Sequence, residues 1–437
     1  MNNKYAEEFY QIVKEDPKKY FEDYKNLQKR IDSDFKEVTG KVVNNLYQGY
    51  FYNKDEKEFF SQIADMLMNI TRKVTENYLK DESYRKLFNF PKVLEDLIMH
   101  DPKYDIPVPI CRYDMFYRDK DNIKFCEFNT DGTSAMNEEY IIGRELESSL
   151  AMKKFNEKYK SENINTFEPW VEESINIYKK YCNKKEKPNV AIVDFMDVGT
   201  QADFVYFKRF YEKAGYNCEI CDIRDLKYKD GKLMHDDYEI DLIYRRFVTI
   251  DFLNHIDQLE DFIKAYYDDA FIMLGSFRSH IMHSKLIFYA LLKDQSLAFL
   301  NDEEQEFVKK HIPFTDILSK NNKDEVIENK DQYIIKPFDG YALSGVFVGK
   351  DHSPSEWEKI VNKALETPYI YQEYVNQIPK KYVDFTDDGQ AVLEDYFSVV
   401  GLYIYNEKFI APYTRIGKEN VVGGTSHYFV APNILIC

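Results

Sequence analysis

The stretch RYDMFYRDKDNIKFCEFNTDGTSAMNE, residues 112 to 138, decides how the rest of the chain is read. RYDMFYR and IKFCEFN are rich in aromatic residues and alternate in character, as strands do, and DKDN at 119 to 122 is a polar turn cluster between them. A turn centred between Lys120 and Asp121 predicts that Arg118 faces Ile123, Asp114 faces Glu127 and Arg112 faces Asn129. Side chains alternate faces along a strand, so Arg112, Asp114, Glu127 and Asn129 share one face. Directly opposed residues have Cβ atoms about 5 Å apart, and like charges placed so are destabilising. Two carboxylates set against each other, beside an amide oxygen and a guanidinium, point to a divalent cation. Mg²⁺ takes a few carboxylate oxygens and completes its shell with water and phosphate oxygens.

Outward from the hairpin, the chain of 437 residues has room for about three domains. Its first residues, MNNKYAEEFY, are polar and acidic, unlike a signal peptide. No apolar run approaches the roughly 20 residues of a membrane helix, and six cysteines in so long a chain suit a reducing compartment. The expectation is a cytoplasmic protein. A net charge of −17 argues against a nucleic-acid partner and is compatible with a cationic substrate, although acidity more often serves solubility.

Residues 1 to 100 are helical in pattern, with apolar residues three and four apart in KEDPKKYFEDYKNLQKRIDSDFKEV and DEKEFFSQIADMLMNITRKVTENYLKD; no chemistry is evident there. HDPKYDIPVPI, 100 to 110, is an extended connection into the hairpin, and beyond TDGTS the chain reads as a helix. Near residue 188 a new unit begins. KPNVAIVDFMD is a strand, QADFVYFKRFYEKAGY a helix ended by Gly215, NCEICDI a second strand, YKDGKLM a turn and YEIDLIYRRFV a third strand. That spacing implies a small Rossmann-like unit, without a glycine-rich dinucleotide fingerprint. From 251 to 312 the pattern is mainly helical, with the short apolar piece AFIMLGSF inside it. DQYIIKPFDGYALSGVFVGK gives strand, loop and strand, TPYIYQEYVNQ another strand, and EDYFSVVGLYIYNEKFIAPYTRIG two strands joined by a turn at Asn406.

Lys336 ends a strand before the loop 338–345, which holds Gly340, Ser344 and Gly345. Such loops cradle phosphates, with a lysine as point charge, but K-P before a loop is more often ordinary turn chemistry. Unaided, Lys285 reads as a surface lysine, and Gln372 and Glu373 as polar residues of an edge strand. Cys218 and Cys221 form a lone CxxC within a strand, a poor zinc signal. His280 and His283 share a helix face without a third ligand.

Taken in order, Arg112-x-Asp114, Glu127-x-Asn129, Ser284-Lys285, Lys336-Pro337 with its glycine loop, and YIYQEYV at 369 to 375 resemble the synthetase domain of the glutathionylspermidine synthase family, a circularly permuted branch of the ATP-grasp ligases. The resemblance covers roughly residues 100 to 437. It implies an α/β fold (α+β): a circularly permuted ATP-grasp core with a Rossmann-like pre-ATP-grasp unit and a helical N-terminal region. The corresponding divisions are 1–100, helical; 101–165, the Mg-binding hairpin and helix; 166–262, the Rossmann-like substrate unit; and 263–437, the nucleotide-binding lobe with closing strands.

The resemblance also implies a reaction, a carboxylate–amine ligation through an acyl phosphate that releases ADP and phosphate. Its cofactors would be ATP and Mg²⁺. Arg112 would be catalytic, and Asp114, Glu127 and Asn129 would hold Mg²⁺. Lys285, Lys336, Gly340, Ser344, Gly345, Gln372, Glu373, Tyr374 and Val375 would bind ATP, and Ser134 and Arg246 the substrate. Partners would be a small-molecule carboxylate and an amine, with no nucleic acid and no membrane, and a homodimer is left open. Two stretches depart from the family pattern, FMDVGTQ at 195–201 and YRRFVT at 244–249, where Arg246 stands about where the family has a threonine. Recognition of glutathione or spermidine is therefore not implied. Arg245 or Arg246 could meet a substrate carboxylate or form a structural salt bridge. An ATP-dependent phosphotransferase and a non-catalytic nucleotide-binding module are the other readings.

Overall fold

A computed structural model describes residues 3–38, 43–182, 184–197, 201–340, 344–419, 421–422 and 428–437. Parts of two stretches singled out above lie outside the described residues: 198–200 of FMDVGTQ and 341–343 of the glycine loop.

The hairpin forms from strands Ile110–Asp119 and Asn122–Asn129, and Arg112 pairs with Asn129 and Asp114 with Glu127, as the turn position predicts. Between those pairs and the turn the register differs. Met115 faces Phe125 and Tyr117 faces Ile123, so Cys126 and Arg118 are bulged residues, and the expected Arg118–Ile123 pair does not form. The reason is burial. A bulge flips the faces that follow it, placing Phe125 and Ile123 in the core with Met115 and Tyr117.

The hairpin is one edge of a seven-stranded sheet. Its strand Ile110–Asp119 pairs antiparallel with Ala391–Tyr405, which pairs with Lys408–Gly417, followed by Phe429–Ala431 and Asn44–Asn45; Lys380–Phe385 pairs with the other end of Ala391–Tyr405. The turn at Asn406 forms, with Asn406 and Glu407 both at positive φ.

The first hundred residues are not wholly helical. Helices Asn3–Glu15, Pro17–Val38 and Lys54–Lys80 form, the last opened by a capping box between Asn53 and Glu56. Between them, Asn44–Asn45 runs parallel to Phe429–Ala431, and Tyr50–Asn53 runs parallel to Asn433–Ile436. YFYN is aromatic and strand-forming, and its pairing ties the N-terminal region to the far end of the chain. The buried face of Lys54–Lys80 packs on the large sheet, and Thr71 Oγ1 meets the Tyr113 hydroxyl at 2.9 Å.

The Rossmann-like unit is a parallel sheet in the order Ile272–Leu274, Leu242–Arg245, Val190–Asp194, Cys218–Asp222. Its helix Gln201–Lys213 ends before Gly215, which takes φ +85°. AFIMLGSF supplies the fourth strand. YEIDLIYRRFV is two strands: Tyr238–Ile240 joins Lys232–His235 and Lys227–Lys229 in a small antiparallel sheet, and only Leu242–Arg245 enters the parallel one. A four-stranded antiparallel sheet, Thr315–Ile317, Tyr369–Glu373, Tyr333–Pro337 and Phe347–Val348, carries its own small core around Trp357, Val326 and Ile335.

Candidate functional site

Gly401, at the centre of the large sheet, is the position around which the site is built. It lies between Asp114 on one neighbouring strand and Tyr413 on the other. With no side chain there, Arg112 and Asp114 reach across the middle strand. A Cβ at residue 401 would lie 2.6 Å from Arg112 Cδ, 2.7 Å from Arg112 Cγ, and closer still to Asp114 Oδ1. Arg112 Nε donates to Asp114 Oδ1 at 2.7 Å, and its guanidinium lies 5.0 Å from the centre of the Tyr413 ring. Arg112 also donates to the Ser134 carbonyl at 2.8 Å, and Tyr403 Oη donates to the same oxygen at 2.9 Å.

Asp114 is 1% exposed and is not alone against Glu127. Besides Arg112, it accepts from Arg415 at 2.7 Å and from Asn129 Nδ2 at 3.1 Å. Sequence reasoning missed Arg415, whose place is visible only through the register across Gly401. The like-charge opposition expected of the hairpin is thus relieved by two guanidinium groups on the Asp114 side. On the Glu127 side the relief comes from lysines beyond the sheet as well as from Arg415 within it. Burial pushes the Glu127 carboxyl up, but Lys285, Arg415, His283 and Lys336 more than offset it and hold it below the usual range. Lys285 Nζ is 3.9 Å from Glu127.

The two lysines come from different elements. Lys336, on the strand Tyr333–Pro337, donates to Gln372 Oε1 at 2.8 Å and to the carbonyl of the bulged Cys126 at 3.1 Å. Burial pushes its ammonium down, against the opposing pull of Cys126 and Glu127. Lys285 donates to the Gly340 carbonyl at 2.7 Å, and its backbone N–H to the Phe338 carbonyl, so it holds the described part of the glycine loop. His280 stands between Asp131 and Asp339 at 3.5 and 3.4 Å. Burial opposes its charge, but the two carboxylates raise it to about 9.

A cavity of about 430 Å³ joins these groups. At one end are Arg112, Arg415, Glu127, Asn129, Lys285 and Lys336; Gln372, Glu373, Tyr374 and Val375 form a further wall, with Gly340 and Ser344 beside it. Ser134 and Arg246 also line it. Gly345 lies against Tyr369 Oη, 2.8 Å from where its Cβ would be. Glu138, Asp194 and Asp251 line it too. Burial raises Asp194 to about 6. Burial also raises Glu138, which accepts from Tyr413 Oη at 2.5 Å and Tyr428 Oη at 3.1 Å.

Arg246 reaches the cavity wall, but its guanidinium is engaged inside the protein, with Asp203 at 3.1 Å, Tyr244 Oη at 2.9 Å and the Thr133 carbonyl. Arg245 pairs with buried Asp131 and with Ser279. Arg245 thus joins the Rossmann-like unit to the loop after the hairpin by a salt bridge, whereas Arg246 pairs with Asp203 inside the unit and reaches that loop through the Thr133 carbonyl.

The oxygen donors suit a hard cation. Glu127 and Asn129 face the cavity, whereas Asp114 lies beneath them, enclosed by its arginines. Among the described residues no helix is long and apolar enough to cross a membrane.

A family model described as glutathionylspermidine synthase preATP-grasp matches residues 34–434. A search of curated proteins finds no match. Among solved structures, the apo form of a glutathione synthetase-like effector from Globodera pallida superposes with a TM-score of 0.58 at 11% identity, covering 96% of this chain and 98% of that one. That likeness is one of fold. A putative gamma-glutamylcysteine synthetase from Methylobacillus flagellatus KT gives a TM-score of 0.43 at 11% identity, over 83% of this chain and 86% of that one. The D-cycloserine synthetase DcsG gives 0.27 at 11% identity, over 56% and 92%.

Proposed function

The chain belongs to the glutathionylspermidine synthase preATP-grasp family, and from that premise we propose that it is an ATP-dependent carboxylate–amine ligase. The observation that carries this reading is the convergence of four cationic side chains, from two sheets and a helix start, on one cavity beside Glu127 and Asn129. Phosphoryl transfer is catalysed chiefly by positioning and charge neutralisation, and the cationic end is arranged for both.

In this reading a substrate carboxylate oxygen attacks the γ-phosphorus of ATP and ADP leaves. An amine nitrogen then attacks the carbonyl carbon of the acyl phosphate, and phosphate departs with the C–O electron pair, leaving an amide. Lys285 and Lys336 bind phosphate oxygens. Lys285, which donates to the Gly340 carbonyl, would turn to a phosphate oxygen when the nucleotide binds. Gln372 to Val375 edge the adenine site. Glu127 and Asn129, with Asp114 beneath them, would hold Mg²⁺, which when bound would neutralise charge on the phosphates. Arg112 lies where charge develops on the transferring phosphoryl and on the tetrahedral intermediate, a task that suits a planar guanidinium. Asp114 and Tyr413 fix its direction. Ser134 presents the substrate carboxylate next to it, and Arg246 braces that wall through Asp203.

The test is ADP release and product analysis across a panel of amino-acid and peptide carboxylates, with and without amines, and with hydroxylamine to trap an acyl phosphate. ADP, phosphate and amide in equal amounts, and a hydroxamate in the trap, are the expected results. A phosphorylated product that accumulates while no amine yields an amide would overturn the ligase reading.

A further inference from the structure

Away from the cavity, the small antiparallel sheet lies over the edge of the parallel one. Its strand Lys232–His235 ends on His235, whose Nδ1 is 2.8 Å from Glu219 Oε2. Glu219 and Cys221 are two apart on the strand Cys218–Asp222 and so point to one face. A ring nitrogen of His235, a carboxylate oxygen of Glu219 and the Cys221 sulfur all lie within 4.8 Å of one another. None of the three lines the ATP-site cavity.

We propose that Glu219, Cys221 and His235 bind a zinc ion, with water as the fourth ligand, and that the ion clamps the small sheet onto the parallel sheet. Sulfur, imidazole nitrogen and carboxylate oxygen are the donors Zn²⁺ takes in tetrahedral sites, and three protein ligands leave one position for water. A thiolate and an imidazole disfavour Mg²⁺ and Ca²⁺. All three ligands stand on strands, so their backbone positions are fixed before the ion arrives. Cys221 is buried while Glu219 and His235 are half-exposed, which gives the site a closed floor and an open entry.

Lys208, on the helix beside this strand, is directed at Glu212 and the Cys218 carbonyl. Zinc takes the thiolate form of cysteine, so its arrival would displace the Cys221 thiol proton to solvent. This site stands independently of the ligase reading.

The experiment uses the full chain stripped of metal, titrated with Zn²⁺ against a chromophoric chelator and, separately, with Co²⁺. The wild type is expected to bind one ion per chain, with a thiolate-to-cobalt absorption band. Cys221→Ser should lose the band. His235→Ala should weaken binding by more than the roughly 10–100-fold that loss of an outer-shell partner costs. Cys182→Ser, elsewhere in the unit, should bind as the wild type does. If Cys221→Ser fails to fold, Glu219→Gln at the half-exposed rim serves in its place, with weaker binding and unchanged near-ultraviolet circular dichroism expected. The proposal is overturned if the wild type shows no thiolate band. It is equally overturned if wild type and ligand variants bind zinc alike.

Discussion

Gly401→Ala is the sharpest probe of how the site is built. Glycine is not demanded there by a positive φ, so alanine suits the backbone and would ordinarily gain about 0.5–1 kcal/mol within a strand. The obstacle is steric. The new methyl would sit 2.6 Å from Arg112 Cδ and 2.7 Å from Cγ, and closer to Asp114 Oδ1. Overpacking of this kind costs about 1–3 kcal/mol. Arg112 must swing off Asp114 to relieve it. Asp114 keeps Arg415 and Asn129, so the full 3–5 kcal/mol of an orphaned buried charge is not incurred. The net loss should be near 2 kcal/mol, which at the roughly 1 °C per kcal/mol of a 437-residue chain lowers the melting midpoint by about 2 °C. Activity should suffer more than stability, because a shift of about 1 Å in a positioning group costs on the order of 100-fold in rate. Binding of a fluorescent ATP analogue should persist, since Lys285, Lys336 and Gln372 lie on other elements. Calorimetry, nucleotide titration and turnover on the same sample read all three. A variant with the wild-type midpoint and wild-type turnover would show that Arg112 and Asp114 are not held over residue 401.

Three further outcomes are expected. Arg112→Ala should abolish turnover while leaving nucleotide affinity within a few-fold, and retained activity would remove Arg112 from the chemistry. Lys336→Met keeps the volume but leaves the Gln372 and Cys126 oxygens without their ammonium donor; ATP affinity should fall at least about 10-fold, the loss of one charge-assisted contact, as read by titration calorimetry. His280 should make stability fall with rising pH. Protonated His280 between Asp131 and Asp339 contributes fully below the ordinary imidazole value of about 6.5, and that contribution, up to roughly 3 kcal/mol, is lost as pH rises through about 9. Melting midpoints from pH 6 to 10 should decline in the wild type, and His280→Gln should flatten that part of the curve.

The hairpin and its first two pairs were legible because strand alternation and turn chemistry are local. The bulge at Cys126 is also written in the sequence. The buried apolar positions Ile123, Phe125 and Phe128 are spaced by two and then three, and a break in period two is what an extra residue leaves. Gly401 carried a signal too, since a glycine inside VVGLYIY implies close approach by a neighbour. Arg415 carried none. Its partner is on a strand that it does not even adjoin, and no spacing within PYTRIG points there. The strands Asn44–Asn45 and Tyr50–Asn53 were hidden for a related reason. Their partners, Phe429–Ala431 and Asn433–Ile436, lie at the far end of the chain, and so short a strand is decided by tertiary pairing rather than by propensity.

The bulge also explains how two lobes come to share one site. In an unbroken ladder, Cys126 would pair with Met115, and Phe125 would turn its ring to the cavity face opposite Phe116. With the bulge, Phe125 enters the core and Cys126 is left out of the pairing. Its carbonyl accepts from Lys336 of the other sheet, and its thiol donates back to the Asp114 carbonyl at 3.3 Å. The extra residue therefore does two jobs with one insertion. It restores the apolar face of the hairpin, and it turns a main-chain oxygen toward the lysine that faces Glu127 from across the cavity. The Asp114–Glu127 pair, the two guanidinium groups on Asp114 and the lysine from the second lobe are all consequences of register. That is why displacing one methyl-sized volume at residue 401, or removing one residue at 126, should disturb groups on three strands at once.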